Sequence, residues 1–365
     1  MAKIVINARG IKSSTGRVIE QVLNNLQQLD SVNDYKILVL EKEKDYYKPT
    51  KPNFEVVVAD YAHYSFGEQL GFALFLYRMK ADLVYFHMPQ QPLLYIKPTV
   101  TFVHDLNQLR LKESDMSQLE LKVKKVIFAC LLWIVSKRSK HIIVPTEYSK
   151  NDLMKFAHIS PSKITVSSEG VIQIGKLEPM PQFDKKPFII YLGRAEPYKN
   201  NRRLIKAHQS LLGQHPKLSL VIAGPIDELR RADIDWVKSN SYKNVLFAEW
   251  PTDEQAAWLY KRAEAFVQPS LMEGFGLPVL EAMQQGVPVA STNATCSPEV
   301  YGDAAHYFNP NDTEDIARAI NDLLTDQKLR TNLIKKGYQQ VKKYSWPKAS
   351  QKIFGVIKDV LKQND

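Results

Sequence analysis

The chain has 365 residues, of which 44% are hydrophobic and 24% charged, and it carries a net charge of +10. These values are typical of an ordinary globular protein of two domains, and the presence of just two cysteines excludes a disulfide framework or a cysteine-based metal site. The positive excess is spread along the chain. It suits anionic ligands such as sugar nucleotides, phospholipid surfaces or nucleic acid without choosing among them.

The N-terminal half alternates apolar strands with amphipathic helices. The first strand, at 3–8, lacks the long apolar core of a signal peptide, which predicts a cytoplasmic protein. A helix follows, with apolar residues at helical spacing from Val18 to Leu29. Further strands are predicted at 35–40, 54–59, 82–88, 99–103, 141–145 and 163–168, and further helices at 66–79 and 146–156. Strands that alternate with helices indicate a parallel, doubly wound α/β sheet.

One segment of this half, residues 122–140, has two interpretations. Its ten-residue core, 126–135, is uncharged and apolar on every side, and basic residues flank it at both ends. This core is too short to span a bilayer, which needs about 20 residues. A helix that is apolar all round is usually buried, so we predict a core helix with a buried Cys130. The alternative is a basic helix that lies on a membrane surface.

Two features of the first half lie where predicted strands end. The loop after the first strand, 9–17, is built of small residues and contains Gly16 followed by Arg17. His104 and Asp105 come directly after a later strand. Because open α/β sheets bind ligands at the carboxyl ends of their strands, the His-Asp pair is predicted to face the ligand crevice. The loop with Gly16 is, from its residues alone, a β-to-α connection.

The second half repeats the alternation after a proline-bearing linker at 171–187. Strands are predicted at 188–194, 218–223, 245–247, 265–270 and 287–291, and helices near Arg202, Thr252, Pro278 and Ser297 and at 313–324, 327–344 and 346–361. We therefore expect an N-terminal domain at 1–170 and a C-terminal domain at 188–345.

The most informative stretch joins the strand at 265–270 to the helix that follows it. It reads Glu273-Gly274-Phe275-Gly276-Leu277-Pro278-Val279-Leu280-Glu281. The two glycines allow a sharp turn close to a ligand, and Pro278 fits the first turn of a helix whose free amides can hold an anion. Glu273 and Glu281 bracket the turn and can accept hydroxyl protons. The pattern indicates a site for a nucleoside diphosphate with a hydroxyl-rich group, although a plain helix start with two solvated glutamates has the same sequence.

A second motif favours the binding site. The strand at 188–194 ends in Gly193-Arg194, and Lys199 follows just before the next helix. Two cations at the carboxyl end of a strand suit the neutralisation of phosphates, although they also occur on an ordinary basic surface. The two motifs in this order are more specific than either one alone.

Together, Gly193-Arg194 with Lys199 and the Glu273 and Glu281 pair resemble the donor site of the retaining glycosyltransferases of family 4, which have the GT-B fold. The resemblance extends over nearly the whole chain. It implies two Rossmann-like, doubly wound domains that face a cleft, the N-terminal one for the acceptor and the C-terminal one for the nucleotide-sugar donor. It also implies that the final helix, within 346–365, crosses back onto the first domain.

The resemblance implies a role for each site residue. Arg194 and Lys199 would neutralise the diphosphate as it leaves, and Glu273 and His104 would contact hydroxyls of the transferred sugar. Arg17 and Asp105 would lie on the acceptor side. An alternative role for Asp105 is to orient its own loop. Donor contacts would come from Gly16, Gly193, Gly274, Phe275, Gly276, Leu277 and Glu281, with Glu281 on the ribose.

The same resemblance implies the substrates and the cellular location of the protein. The donor would be a nucleotide-sugar, with no metal and no other cofactor, since the two cations would replace the metal. The acceptor would be a glycan or a lipid-linked sugar of cell-envelope polysaccharide synthesis. The chain would be cytoplasmic, with a peripheral membrane contact at 122–140 as an option. The His104-Asp105 pair favours mannose, and hence GDP over UDP.

Three other classes of function compete with this one. A nucleic-acid-binding protein is suggested by the basic charge, but no concentrated basic patch with interleaved aromatic residues occurs in the sequence. A nicotinamide-dependent oxidoreductase would carry Gly-x-Gly-x-x-Gly after its first strand, and this sequence does not. A nucleotide-sugar epimerase or a phosphorylase of GT-B type stays open.

Overall fold

The computed structural model describes residues 1–13, 15–63, 65–110 and 118–363. These residues form two compact units. Unit 1 holds the described residues up to Gly170 together with those from Ser345 onward, and unit 2 runs from Val171 to Tyr344. The segment predicted as a linker groups with unit 2 and contains a short 3-10 turn, Pro181–Phe183. Ser14 of the predicted first loop lies outside the described residues.

Unit 1 alternates strands and helices. Its strands are β1 (Lys3–Asn7), β2 (Asp34–Val39), β3 (Phe54–Val58), β4 (Leu83–Phe86), β5 (Thr99–Phe102), β6 (His141–Val144) and β7 (Ile164–Val166). Its helices are α1 (Gly16–Leu29), α2 (Ala73–Met79), α3 (Asn107–Arg110), α4 (Gln118–Arg138) and α5 (Glu147–Ala157). A π-helical turn, Glu68–Phe72, precedes α2, so the helix predicted at 66–79 is irregular in its first part.

The strands of unit 1 form a parallel sheet in the order β3-β2-β1-β4-β5-β6-β7 over the described residues. The chain extends from β1 to β3, then crosses to the other side of β1 and continues from β4 to β7. Such a reversal leaves a crevice between the carboxyl ends of β1 and β4. Every residue of β4 and β5 is buried. Full burial agrees with the nearly continuous apolar sequence of a parallel sheet covered on both faces.

The last helix of the chain, α13 (Trp346–Lys362), packs in unit 1. Its apolar face contributes Ile353, Ile357 and Val360 to the core that also contains Ile19 of α1. Both helices carry apolar residues three or four positions apart, which places these side chains on one face. The C-terminal residues therefore complete the core of the first unit, as the GT-B resemblance implies.

Unit 2 is a second parallel α/β unit. Its strands are β8 (Phe188–Leu192), β9 (Ser219–Ala223), β10 (Val245–Ala248), β11 (Ala265–Gln268), β12 (Val289–Thr292) and β13 (Ala305–Phe308). Its helices are α6 (Asn201–Leu211), α7 (Glu228–Ser239), α8 (Asp253–Arg262), α9 (Leu277–Gln284), α10 (Ser297–Tyr301), α11 (Thr313–Thr325) and α12 (Gln327–Val341). In the described part of the chain the strand order is β10-β9-β8-β11-β12-β13.

Helix α4 has two different faces. Phe128 and Leu132 are buried in a core that includes residues of β6 and α5. Another face lies in solvent, where Val126 and Ile127 are 62% and 55% exposed. The prediction of a wholly buried helix is therefore wrong, and so is that of a buried Cys130, whose side chain is exposed. Across the described residues, no helix combines the length and the apolar character needed to cross a bilayer.

Candidate active site

In unit 2 the strand order reverses between β8 and β11. The chain extends one way from β8 and later crosses over to begin again at β11. The loops after these two strands therefore lie side by side at the carboxyl edge of the sheet, where open α/β sheets bind ligands. Both predicted motifs lie here, because 193–200 follows β8 and 269–276 follows β11.

Direct hydrogen bonds hold these loops together. The amide of Leu271 donates to the carbonyl of Tyr198 over 2.8 Å. The side-chain amide of Asn200 donates to the carbonyls of Pro269 and Pro310, 2.9 and 2.8 Å away, and so ties in the loop after β13. Asn200 is buried in a left-handed conformation with φ 62°, which asparagine tolerates better than most side chains. The protein's own contacts thus fix this edge.

An ion pair between Lys199 and Glu273 lies where the two loops meet. The Nζ atom of Lys199 is 2.9 and 3.0 Å from the two carboxylate oxygens of Glu273. The lysine side chain is 18% exposed and the glutamate 8%. Burial opposes the charge on Lys199, but the carboxylate of Glu273, together with two nearby tyrosines, outweighs burial and raises the lysine's pKa. Lys199 is therefore a cation throughout the physiological pH range.

The sequence does not reveal that Lys199 and Glu273 form an ion pair with each other. Lys199 is predicted to contact the diphosphate and Glu273 the sugar hydroxyls, yet each is the other's partner. The side-chain amide of Gln268 also donates to Glu273. An ammonium group carries three N–H donors, so Lys199 can keep Glu273 and still donate to a ligand oxygen. The predicted contacts with diphosphate and sugar stay predictions.

Arg194 lies on the same loop and is more exposed. Its side chain is 45% exposed, with Nε 2.8 Å from Oε1 of Glu196 and a terminal nitrogen 3.4 Å from Asp227. The turn that carries it is fixed by Arg230 of α7, which donates to the carbonyl of Gly193 over 2.6 Å. The structure therefore places both predicted cations at the carboxyl end of β8, Lys199 partly buried and Arg194 exposed.

The glycine turn after β11 has a left-handed backbone at Gly276, where φ is +86°. The hydroxyl of Tyr301, which is fully buried, lies 3.3 and 3.2 Å from the carbonyls of Phe275 and Gly276 and shares its proton between them. A Cβ at position 276 would lie 1.9 Å from that hydroxyl oxygen. Glycine is required here both by the backbone and by the close approach of Tyr301.

The remaining residues of this motif differ in exposure. The buried ring of Phe275 packs edge-on against Tyr344, with ring centroids 5.3 Å apart. Because the ring is occupied in this way, the predicted donor contact of Phe275 would be made by its backbone. Leu277 is the first residue of α9, and Gly274 lies in the turn before it. Glu281 is buried on α9 and accepts a hydrogen bond from the hydroxyl of Tyr260 over 3.3 Å.

The predicted donor loop of unit 1 leads into α1. Gly16 is the first residue of this helix, and a Cβ there would lie 1.8 Å from the carbonyl oxygen of Ile11. Close packing inside unit 1 therefore requires a glycine at this position, whether or not Gly16 also contacts the donor. Arg17 is the next residue of α1 and is half-buried.

His104 and Asp105 follow β5, as predicted. Nε2 of His104 is 3.2 Å from the carbonyl of His87, to which it donates, and Nδ1 is 3.6 Å from Oε1 of Glu169. Both ring nitrogens thus face protein atoms. A hydrogen bond to a sugar hydroxyl would have to replace one of these two contacts. Asp105 accepts the amide of Asn107 over 2.9 Å and so orients its own loop.

Two family models match successive parts of the chain. Residues 32–172 match the model described as Glycosyltransferase Family 4, and residues 176–340 match the model described as Glycosyl transferases group 1. The chain belongs to the GT-B glycosyltransferases of family 4. The two matches meet close to the boundary between unit 1 and unit 2 of this glycosyltransferase.

Curated relatives of this glycosyltransferase include enzymes named as mannosyltransferases. O-antigen chain mannosyltransferase B of Escherichia coli is 28% identical over 286 residues, which cover 75% of this chain and 72% of the relative. O-antigen chain mannosyltransferase RfbU of Salmonella typhimurium is 27% identical over 225 residues, 62% of this chain and 60% of the relative. Serotype-specific mannosyltransferase WbdA of Escherichia coli is 35% identical over 163 residues, but these make up 20% of its length.

Solved structures share the fold over the whole chain. Sucrose-phosphate synthase from Thermosynechococcus elongatus has a TM-score of 0.78 at 16% identity, with both chains fully covered. HepE of Anabaena, solved with UDP and glucose, has a TM-score of 0.76 at 15% identity and covers 98% of this chain and 100% of its own. These likenesses establish that the two units of this glycosyltransferase have the GT-B architecture.

Sequence reasoning missed three residues that shape the site of this glycosyltransferase. Arg230 lies in a charged helix that the sequence does not predict, and Gln268 ends a strand that is recognised by its apolar residues. Tyr301 lies 25 residues beyond the glycine turn that it supports. A polar residue at the very end of a buried strand is the signal that could have identified Gln268. No local signal marks Arg230 or Tyr301.

Proposed function

We propose that this glycosyltransferase moves a hexose, with mannose favoured, from a nucleoside diphosphate sugar to a glycan or lipid-linked acceptor of a cell-envelope polysaccharide. The observation that carries the proposal is the ion pair of the partly buried Lys199 with the buried Glu273, 2.9 Å apart at the strand reversal of unit 2. The pair offers, on one sheet edge, a cation for phosphate and a carboxylate for sugar hydroxyls. The names of the Escherichia coli and Salmonella typhimurium relatives support mannose and an O-antigen-like product.

The chemical step needs positive charge at the leaving group. Transfer breaks the bond between the sugar's anomeric carbon and the diphosphate and joins that carbon to an acceptor oxygen, which loses its proton. Lys199 and Arg194 stabilise the negative charge that grows on the departing diphosphate. The N-terminus of α9, which begins at Leu277, adds the partial positive charge of its amides. These groups take the place of a metal, and no carboxylate serves as a covalent nucleophile.

The carboxylates orient the sugar nucleotide. Glu273, held by Lys199 and Gln268, accepts hydroxyl protons of the transferred sugar. Glu281, one helical turn into α9, accepts those of the ribose. The product keeps the anomeric configuration of the donor, as in the family's retaining members. His104 of unit 1 contacts a hydroxyl of the transferred sugar.

The donor proposal is tested by thermal unfolding of the full chain with GDP-mannose. At about 100 times its dissociation constant, a ligand stabilises the folded state by about 2.7 kcal/mol, which raises the midpoint of a unit this size by about 5–10 °C. UDP-glucose is the comparison donor, because Anabaena HepE was solved with UDP and glucose. If neither nucleotide-sugar raised the midpoint of thermal unfolding, the proposal would be contradicted.

Product analysis then separates the kinds of enzyme. Incubation of GDP-mannose with a mannoside acceptor should yield GDP and a longer glycan with the donor's anomeric configuration, detected by NMR. A new nucleotide-sugar would identify an epimerase, and a sugar phosphate formed from inorganic phosphate would identify a phosphorylase. Either result in place of glycan extension would overturn the transferase proposal.

We propose that α4 rests on an anionic lipid surface on the cytoplasmic side of a membrane. Its exposed apolar residues recur at helical spacing and so form one stripe: Leu119, Val123, Val126, Ile127 and Trp133 are 47% to 72% exposed. Exposed Lys122 and Lys124 lie beside the stripe, and such a combination suits an amphipathic helix at a negatively charged interface. Cys130 and Cys296 are present as thiols, which is in keeping with a reducing, cytoplasmic setting.

Co-sedimentation with vesicles tests the lipid contact. The full chain should sediment with vesicles rich in phosphatidylglycerol and much less with phosphatidylcholine alone. Val126→Glu should reduce sedimentation several-fold, because a charge would enter the apolar stripe. Val32→Glu is the control, since Val32 is 65% exposed elsewhere in unit 1. Equal sedimentation of both variants and the wild-type chain would count against this surface.

A further inference from the structure

The loop that joins β12 to α10 lies beside the turn that carries Glu273. Strands β11 and β12 are parallel neighbours in the sheet of unit 2, so the loops that follow them leave the same edge. The amide of Glu273 donates to Oγ1 of Thr295 over 3.0 Å. The thiol of Cys296, which is fully buried, donates to the carbonyl of Glu273 over 3.2 Å. Two successive residues of this loop therefore hold the main chain of Glu273 on both sides of its side chain.

Thr295 has a strained backbone. Its φ is +54°, in the left-handed region, where a residue branched at Cβ is a genuine outlier. The other described non-glycine residues with a positive φ are lysine, histidine, asparagine and serine, none of which is branched at Cβ. Strain of this kind persists where the surrounding structure enforces it, and it is concentrated at functional sites. The position of Thr295 against Glu273 is therefore a reason to seek a function for its hydroxyl.

The bonds from Thr295 and Cys296 complete the fixation of Glu273. Its carboxylate is already held by Lys199, at 2.9 and 3.0 Å, and by the side-chain amide of Gln268. The amide, the carbonyl and the carboxylate of Glu273 thus all have protein partners. Because its amide donates to Thr295, that amide is not the one that receives a phosphate oxygen. Thr295 therefore acts on the main chain of Glu273, while Lys199 and Gln268 act on its side chain.

We infer that Thr295 is a positioning residue for sugar transfer, whose Oγ1 fixes the peptide of Glu273 and so aims the carboxylate at the hydroxyls of the transferred sugar. The branched side chain of threonine restricts rotation about χ1, which keeps Oγ1 on the amide. A carboxylate fixed before the donor arrives loses little freedom on binding and needs no reorganisation in the transition state. This inference rests on the proposed function, in which Glu273 accepts hydroxyl protons of that sugar. It adds that recognition of the sugar, and not of the nucleoside diphosphate, depends on Thr295.

Three substitutions separate the hydroxyl of Thr295 from its shape and its backbone. Thr295→Val removes Oγ1 and keeps the branched shape. Thr295→Ser keeps the hydroxyl and removes the branch, and Thr295→Gly removes both and also relieves the left-handed backbone. Thr331→Val is the control, because Thr331 is exposed on α12 and its hydroxyl donates to the carbonyl of Gln327 over 2.9 Å.

The ligands are GDP-mannose and GDP, which lacks the sugar, and calorimetric titration of the full chain measures the affinity for both. Thr295→Val should weaken GDP-mannose binding about two- to tenfold, the effect of one weakened hydrogen bond, and leave GDP binding within about twofold. Its kcat with a mannoside acceptor should fall about 10- to 100-fold, because a small misplacement near the reacting centre is costly. Thr295→Ser and Thr331→Val should stay within about twofold of the wild-type chain in all three quantities.

Stability should follow the backbone of residue 295, and activity should follow its hydroxyl. The midpoint of thermal unfolding of Thr295→Gly should lie about 2–4 °C above that of Thr295→Val, because glycine adopts a left-handed backbone without strain. The kcat of the glycine variant should nevertheless stay as low as that of the valine variant. In the chain without ligand, NMR should show faster hydrogen exchange of the Glu273 amide in both variants than in Thr295→Ser or the wild-type chain.

The inference is overturned if Thr295→Val transfers mannose as fast as the wild-type chain. It is also overturned if Thr295→Gly regains the activity that Thr295→Val loses, since Thr295 would then serve the fold alone. An equal loss of GDP and GDP-mannose binding would count against it as well, because the hydroxyl would then support the whole turn. Failure of the proposed function gives a different result. A wild-type chain in which Thr295 protects the amide of Glu273, but which neither binds GDP-mannose nor extends a glycan, would refute the transferase and leave the bond between Thr295 and Glu273 in place.

Discussion

Replacement of Lys199 by alanine is expected to lower kcat for sugar transfer by about 10²- to 10³-fold, the usual effect of removing one charge stabiliser of a transition state. The reason is the position of its ammonium where two loops meet, partly buried and held by Glu273 at 2.9 Å. A cation fixed in advance needs no reorganisation when the diphosphate departs. Arg194, 45% exposed, should matter less when replaced by alanine, because water screens it more. Steady-state kinetics with GDP-mannose measure both effects.

The Lys199 variant also needs a test of its stability. Alanine at 199 leaves the carboxylate of Glu273 buried without its ion-pair partner, and breaking such a pair costs about 3–5 kcal/mol. The double variant Lys199→Met with Glu273→Gln removes both charges, so most of the stability should return while kcat stays low. Lys206→Ala is the control, because Lys206 is an exposed cation on α6. Full activity in a folded Lys199→Ala variant would refute the role of this lysine.

The parallel sheets could be predicted because their strands are buried on both faces and therefore read as short apolar runs. Helix α7 could not, because its buried positions include Arg230 and Asp233, and charged residues there conceal the apolar face. Strand β13 was also missed. It has four residues, Ala305–Phe308, of which His306 and Tyr307 are only partly buried at the edge of the sheet. In both cases tertiary contacts, rather than local sequence, decide what is buried.

The location of the candidate site, at the carboxyl ends of two strands, could be predicted from the sequence. The contacts between its side chains could not. The carboxyl ends of parallel strands meet at one edge, so the sequence could bring Lys199 and Glu273 to the same region. Their ion pair spans 74 residues of sequence separation, and spacing does not reveal which opposite charge a side chain meets. The same holds for His104, which faces Glu169 across 65 residues of chain. Such pairings depend on loop conformations that the strand pattern leaves open.

Substitution of Gly276 by alanine is expected to destabilise unit 2 by about 3 kcal/mol and to weaken donor binding at least about tenfold. A non-glycine residue in a left-handed conformation costs about 1–2 kcal/mol, and overpacking of a filled core costs about 1–3 kcal/mol more. Both apply, because φ is +86° and the new Cβ would lie 1.9 Å from the hydroxyl of the fully buried Tyr301. The turn and the start of α9 must shift to relieve the contact. Hydrogen exchange of β11 and titration with GDP-mannose measure the two effects.

A second substitution separates the steric part from the backbone part. Tyr301→Phe removes the hydroxyl, after which the nearest ring atom would be 3.1 Å from the new Cβ. Gly276→Ala with Tyr301→Phe should therefore be more stable than Gly276→Ala alone, although each change by itself is destabilising. Gly213→Ala is the control, since a Cβ at that position would have no atom within 4 Å beyond the glycine and its chain neighbours, and its effect should stay within about 0.5 kcal/mol. If Gly276→Ala were as harmless as this control, the turn would not need its left-handed glycine, and its part in donor binding would be lost as well.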